Sequence, residues 1–372
     1  MKGIKSNLTV ISILLLLNNF LLAQSEENDL REFIGKVFND ITFSGQWFLS
    51  YQSGRFNDVS DNEFLLKRGY ITFQKKFSNR FSARITQDVV VDREGDGEGD
   101  IEIRLKYGFL RYQFDGGDFF YKPYVEFGLV SRPWIDFEQS INRYRVQGTM
   151  FLERNGILSS ADYGFSFVSL LGGELDEEYQ KNVSKSFPGK YGSIAIGIYN
   201  GGGYHAIEKN ENKTIDGRLS LRPLPEKIPG LQLSFVCAYG KGNVGTSPDY
   251  NTYAGIISFE SKPFDITGTY YKGTGFEDGS RLDSSGKPPS NRGYSFFADL
   301  NIPNTAFSLI GRYDYFSSEL APVSITSKRF VAGIAYYFLE DSKIIIDYDR
   351  IKRNNTINND DYIFEIAVEF RY

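Results

Sequence analysis

Seven charged side chains crowd the stretch 131–161, SRPWIDFEQSINRYRVQGTMFLERNGILSSA: Arg132, Arg143, Arg145 and Arg154 against Asp136, Glu138 and Glu153. Guanidinium and carboxylate groups at this density do electrostatic work, either holding one another or sorting charged solutes. Trp134, Ile135, Phe137 and Met150 lie among them and are out of place in a free surface loop. A long connection with apolar anchors should fold onto something. Seated on an interior wall, its charges would ring a constriction. The alternative is an outer cap or a contact with a neighbouring molecule.

Covalent and metal chemistry are poorly supplied. The 372 residues contain one His and one Cys, which excludes an internal disulfide and a Cys-based zinc site and counts against a His-built metal centre. His205, in YNGGGYHAIE, has no serine motif near it, so the reading is not an enzyme. Gly201, Gly202 and Gly203 form a loop with no helix pattern behind them to cradle a phosphate. The run DREGDGEGD (92–100) begins like a calcium loop, but its twelfth position would be Ile103 rather than Glu, so no metal is expected. Cofactors are not implied. The formal charge of −5 gives no reason to expect a nucleic-acid partner.

The elements that position these groups read as strands. In the last eleven residues, Tyr362, Phe364, Ile366, Val368, Phe370 and Tyr372 share one parity, while Glu365, Glu369 and Arg371 fall on the other. Alternate side chains of a strand point to opposite faces. Eleven residues suffice to cross a bilayer at a tilt, and aromatics at both ends suit its two interfaces. The pattern recurs upstream, where Ile101, Ile103, Leu105, Tyr107 and Phe109 oppose Glu102, Arg104 and Lys106. Such charges would be costly in a two-sheet core and are natural on the wall of an aqueous lumen.

Sixteen segments carry this signature: 41–51, 64–77, 81–92, 101–114, 119–130, 162–171, 191–200, 214–223, 231–241, 250–260, 264–273, 292–302, 306–316, 328–339, 343–352 and 362–372. The expected fold is all-β, a transmembrane antiparallel β-barrel over 41–372 with short periplasmic turns and long extracellular loops. The long connections are 52–63, 93–100, 131–161 (the third), 274–291, 317–327 and 353–361. The segment 172–190 is long where a short turn is due. Parity places Arg68, Arg84, Arg104 and Lys106 on the pore wall facing the loop arginines. Inward acids such as Asp265, Asp314, Asp347 and Glu365 dominate towards the C-terminus, so a transverse field is expected across the lumen.

Ahead of the barrel, residues 1–23 read as a secretory signal peptide, with Lys2 and Lys5 before an apolar run and cleavage after Ala23. Its removal takes two lysines and no acid, moving the formal charge from −5 to −7. Residues 24–40 place Leu30, Phe33, Ile34, Val37 and Phe38 on one helical face, consistent with a short periplasmic helix or an irregular early strand.

Three stretches carry a family resemblance. FLLKRGYITFQKKFSNRFSARITQDV (64–89), YVEFGLVSRPWIDFEQ (124–139) and LRPLPEKIPGLQLSFVCAYG (221–240), with the aromatic C-terminus, resemble Gram-negative outer-membrane porins of the phosphate-selective porin O/P-like family. The resemblance implies a bacterial outer-membrane location and a sixteen-stranded homotrimeric channel. Its water-filled lumen would pass small hydrophilic solutes by passive diffusion, anions such as phosphate among them. Outer-membrane lipid, lipopolysaccharide and the barrel-assembly machinery, through 362–372, are the implied partners. The rival reading is an occluded barrel serving as a surface-binding or structural protein.

Overall fold

The structure is a computed structural model that describes residues 40–56, 59–93, 95–320, 323–339, 341–354 and 360–372. The signal peptide expected over 1–23 and the amphipathic stretch up to residue 39 lie outside the described residues.

The described residues form sixteen strands: β1 (Ile41–Phe56), β2 (Val59–Lys76), β3 (Phe81–Val91), β4 (Ile101–Gln113), β5 (Phe120–Ser131), β6 (Ala161–Leu171), β7 (Gly192–Tyr199), β8 (Thr214–Leu221), β9 (Leu231–Lys241), β10 (Asp249–Glu260), β11 (Phe264–Thr274), β12 (Ser290–Asn301), β13 (Phe307–Leu320), β14 (Val323–Tyr337), β15 (Lys343–Arg353) and β16 (Asp360–Arg371). Each pairs antiparallel with its sequence neighbours, and β1 pairs with β16, closing the barrel. Closure leaves no strand edge unpaired, as a bilayer requires. Each of the sixteen expected segments is a strand.

Period-two patterning decides which way side chains point. Along β9, Leu233, Phe235 and Tyr239 are exposed outward while Gln232, Ser234, Val236 and Ala238 are buried inward. The outer face is apolar and ends in aromatics at both rims. At the short-turn rim Phe43 packs on Phe73 and Tyr372, with ring centroids 5.1 and 5.5 Å apart. At the long-loop rim Tyr51 packs on Phe64, and Tyr294 on Tyr315.

Three bulges break the alternation. Phe48 pairs with Arg68 but Leu49 with Leu66, so Lys67 is an extra residue in β2. Thr86 pairs with Tyr107 but Gln87 with Leu105, so Lys106 is extra in β4. A bulge of this kind re-aims the chain by one position. The consequence corrects the expected parity of β4: Leu105 stays outward, whereas Tyr107 and Phe109 turn into the barrel and are buried. The third bulge, in β5, falls at Lys122 and Pro123, with Lys122 at φ +49°.

Two expected long connections are also corrected. Strands β1 and β2 stay paired to Phe56 and Val59, and β13 and β14 to Leu320 and Val323, so most of 52–63 and 317–327 is hairpin. The segment 172–190 is a folded insertion. Asp176 caps a short helix over Glu177–Asn182 by accepting the Tyr179 N–H at 2.7 Å, and Leu175 and Tyr179 are buried.

A charged loop seated inside the barrel

The long connection between β5 and β6 lies within the barrel. Pro133, at the first helical position, opens α1 (Pro133–Ile141), which ends at Asn142; α2 (Phe151–Arg154) follows. The loop's Trp134, Ile135, Phe137, Ile141, Met150, Phe151, Leu152, Ile157 and Leu158 form one buried cluster with inward wall residues Val236, Ala238, Tyr250, Ala254, Ile256, Tyr271 and Phe316, joined by Phe276. Burying each large side chain contributes about 1.5–3 kcal/mol. Tyr250 donates to the Ile157 carbonyl at 2.7 Å. On β12, a side chain at Gly293 would meet the Tyr315 carbonyl of β13 first and then Phe151 at 2.8 Å, so glycine permits the close approach of both.

The four loop arginines diverge to four sectors of the barrel. Arg132 is fully buried, bound to Asp216 of β8 and to Glu277, with Asp162 of β6 3.6 Å away. Where a constriction-lining arginine was expected, three carboxylates and the Tyr199 ring, 4.6 Å from the guanidinium carbon, surround it. Arg143 reaches the short-turn side, donating to the Val183 carbonyl of the 172–190 insertion at 2.9 Å and lying 3.6 Å from Asp265 of β11. Arg154 pairs with Asp314 of β13 at 3.1 Å. Arg145 alone turns to β2–β4. It donates to the Tyr70 hydroxyl at 3.0 Å and pairs with Glu153 at 3.2 Å.

The three loop acids behave differently. Asp136 is exposed and accepts from Ser131 at 2.5 Å. Glu138 is buried, with one carboxylate oxygen lacking a partner. Burial, reinforced by Asp314 and Glu153, pushes its carboxyl up to about 7, with Arg312 opposing. Burial would also raise Glu153, but Arg145 and Lys106 outweigh it and hold that carboxyl at about 2.

Opposite Arg145 the wall supplies the expected basic groups. Arg68 and Arg104 flank Asp88 at 3.3 and 3.1 Å. Lys106 is buried, donates to Ser160 and lies 4.0 Å from the Tyr204 ring centre. Arg84 sits over the Tyr107 ring at 4.6 Å and donates to Thr86 at 2.9 Å. The structure thus brings Arg68, Arg84, Arg104, Lys106 and Arg145 into one cluster. Its acids are Asp88 and Glu153, with Glu102 at the rim 3.6 Å from Arg104. The bulges account for much of this, since they turn Lys67 together with Arg68, and Lys106 together with Tyr107, towards the interior. Lys67 reaches across to Glu365 of β16 at 2.6 Å. That acid belongs to a carboxylate-rich wall over β12–β16 that includes Asp299, Asp347, Asp349 and Glu369, all buried.

Sequence reasoning missed Tyr70, Tyr204 and Lys67 as members of the site, since no local signal marks them. It also gave no account of 172–190. That insertion meets the loop directly: the Arg218 guanidinium lies between Phe137 and Phe187, 4.8 and 4.6 Å from their ring centres, and donates to the Pro133 carbonyl at 2.8 Å.

Polar cavities lie to either side of the basic cluster. One, of about 670 Å³, opens at the short-turn mouth and is lined by Gln46, Tyr70, Gln74, Arg84, Gln139 and Arg145, among others. A second, also about 670 Å³, opens at the long-loop mouth beside Gln52, Glu63, Lys67, Arg68, Glu102 and Arg104. Arg68 and Tyr70, 3.4 Å apart, stand between them.

No described protein family and no curated protein matches the sequence. Solved structures do match in fold. An anion-selective porin from Comamonas acidovorans superposes with a TM-score of 0.62 at 10% identity, over 89% of this chain and 99% of that one. OmpF of Salmonella typhi, solved with daunomycin, gives 0.59 at 11% identity over 89% and 97%. A loop L8 deletion mutant of OmpT, an outer membrane protein of Vibrio cholerae, gives 0.59 at 13% identity over 89% and 99%. What the chain shares with these proteins is its architecture, a closed antiparallel barrel of sixteen strands.

Proposed function

We propose that this chain is an outer-membrane porin, a passive channel for small hydrophilic solutes with a modest preference for anions. The observation that carries the reading is the basic cluster of Arg68, Arg84, Arg104, Lys106 and Arg145 standing between two polar cavities that open at opposite mouths. Sixteen strands enclose enough space for an aqueous channel. The inner loop narrows it, and charges in a narrow, partly dehydrated passage act more strongly than on an open surface. Phosphate is one anion this cluster would admit. On the same reading, 1–23 is the export signal, 362–372 is presented to the barrel-assembly machinery, lipid and lipopolysaccharide cover the outer wall, and the assembled form is a homotrimer.

Purified protein in a planar bilayer under a salt gradient tests the proposal. Stepwise conductance with a reversal potential of anion-preferring sign is expected; strong cation preference would refute it. The second reading, an occluded barrel, draws on the contact between the inner loop and 172–190, which fills the β7–β11 side. Absence of any conductance would favour that reading.

A further inference from the structure

The chamber at the short-turn mouth has a chemistry that simple charge sorting does not need. Arg84 has no carboxylate within salt-bridge distance among the described residues; its one side-chain hydrogen bond goes to Thr86. Arg145 offers a second guanidinium, already shared with Tyr70 and Glu153. Of the other charged groups on the chamber wall, Arg371 is held by Glu369, Lys106 is buried against Ser160 and Asp341 adds a negative charge, so Arg84 and the half-compensated Arg145 suit a single negative charge better than a dianion. Gln74 and Gln139 line the same chamber, and neither primary amide has a side-chain hydrogen-bond partner among the described residues. A primary amide donates and accepts at once, and a ligand hydroxyl uses both capacities. The Tyr70 and Tyr107 rings add apolar surface to the same wall. The chamber, about 670 Å³, falls within the roughly 300–1,000 Å³ typical of small-molecule sites.

We propose that this chamber is a binding site for a singly charged, hydroxyl-rich organic carboxylate of single-sugar size, the class of the uronic acids. Arg84 and Arg145 take the carboxylate, Gln74 and Gln139 the hydroxyls, and the tyrosine rings the C–H faces. The inference rests on the porin reading and narrows its solute class.

The test is current through the reconstituted wild-type protein in potassium chloride, with D-galacturonate, D-glucose or acetate added in turn at the short-turn side. Galacturonate should interrupt the chloride current at a concentration at least about tenfold below either of the others. Arg84→Ala should raise the galacturonate concentration required by a similar factor, and Arg84→Lys should restore part of it. The double variant Gln74→Ala, Gln139→Ala should bring galacturonate level with acetate while leaving the acetate response unchanged. Equal interruption by acetate would reduce the site to its charge, and equal interruption by glucose would remove the charge from it; either result overturns the proposal. So would an unaltered Arg84→Ala variant. If the wild-type protein carries no current, the porin reading fails separately. Calorimetric titration of the detergent-solubilised protein with galacturonate then decides the site: heat of binding keeps it, and no heat discards it.

Discussion

Arg143 and Arg145 are two residues apart in sequence and stand at different places in the barrel, so single substitutions separate them. Arg145 joins the basic cluster on β2–β4, 3.0 Å from Tyr70, whereas Arg143 is tied to Val183 and Asp265. An anion passing roughly 6 Å from the Arg145 guanidinium gains about 0.7 kcal/mol if water screens it fully, and about 2.8 kcal/mol at an effective dielectric of about 20. Those values bracket a threefold to hundredfold effect on local anion occupancy, and a solvent-filled lumen favours the lower end. Arg145→Ala should therefore lower the anion-to-cation permeability ratio about three- to tenfold, read as a shift of the reversal potential towards cations. Glu153 keeps Lys106 as a neighbour in the variant, which limits structural rearrangement. Arg143→Ala should move the reversal potential much less. Equal shifts from the two variants, or none from either, would refute the placement of the passage along β2–β4.

Three further outcomes follow from the same geometry. Arg132→Met leaves Asp216, Glu277 and Asp162 buried without their cation, a loss of about 3–5 kcal/mol in the seating of the loop; noisier current and new protease cleavage within 131–161 are expected, with the heat-modifiable barrel band intact on gels. Glu138, whose carboxyl is raised to about 7 by burial, should make loop seating pH-dependent. The seated loop favours the protonated form, so its stability is full below the ordinary glutamate range and falls by about 3 kcal/mol as pH rises through 7. Current noise that grows from pH 5 to pH 8 in the wild type and stays level in Glu138→Gln is the expected reading. Replacing residues 175–187 by a short glycine-serine turn should raise single-channel conductance, because the insertion occupies the β7–β11 side; an unchanged conductance would place that side outside the passage.

The strands were legible because their information is local: each needs only alternation, as along Ile344–Tyr348 or Tyr362–Tyr372. Trp134, Ile135 and Phe137 signalled that 131–161 folds onto something, but they left an outer cap open beside the interior seat. What could not be read is non-local. Nothing in the sequence tells that Arg132 meets Asp216 and Glu277 while Arg145 meets Tyr70, since those partners are chosen by strand register and barrel closure. The bulges at Lys67 and Lys106 were invisible for a related reason. One extra residue leaves no compositional mark, yet it turns Tyr107 and Phe109 from the outer face to the inner. The insertion at 172–190 lacks strand periodicity, and its burial depends on a surface that the loop itself provides.

The seated loop also sets an order of events. Its anchoring contacts span 84, 145 and 160 residues of chain, from Arg132 to Asp216, Arg132 to Glu277 and Arg154 to Asp314. Contacts this distant in sequence form slowly, and these form only once β8 to β13 are in place. A barrel whose strands have just zipped together is therefore an intermediate with a hollow, wet interior and an unplaced apolar loop. Maturation is the drying of the β9–β13 side as Trp134 and its neighbours dock. Trp47 lies on the wall and Trp134 in the loop core, so refolding followed by circular dichroism and by tryptophan fluorescence should show two clocks, with the strand signal complete before the Trp134 signal arrives.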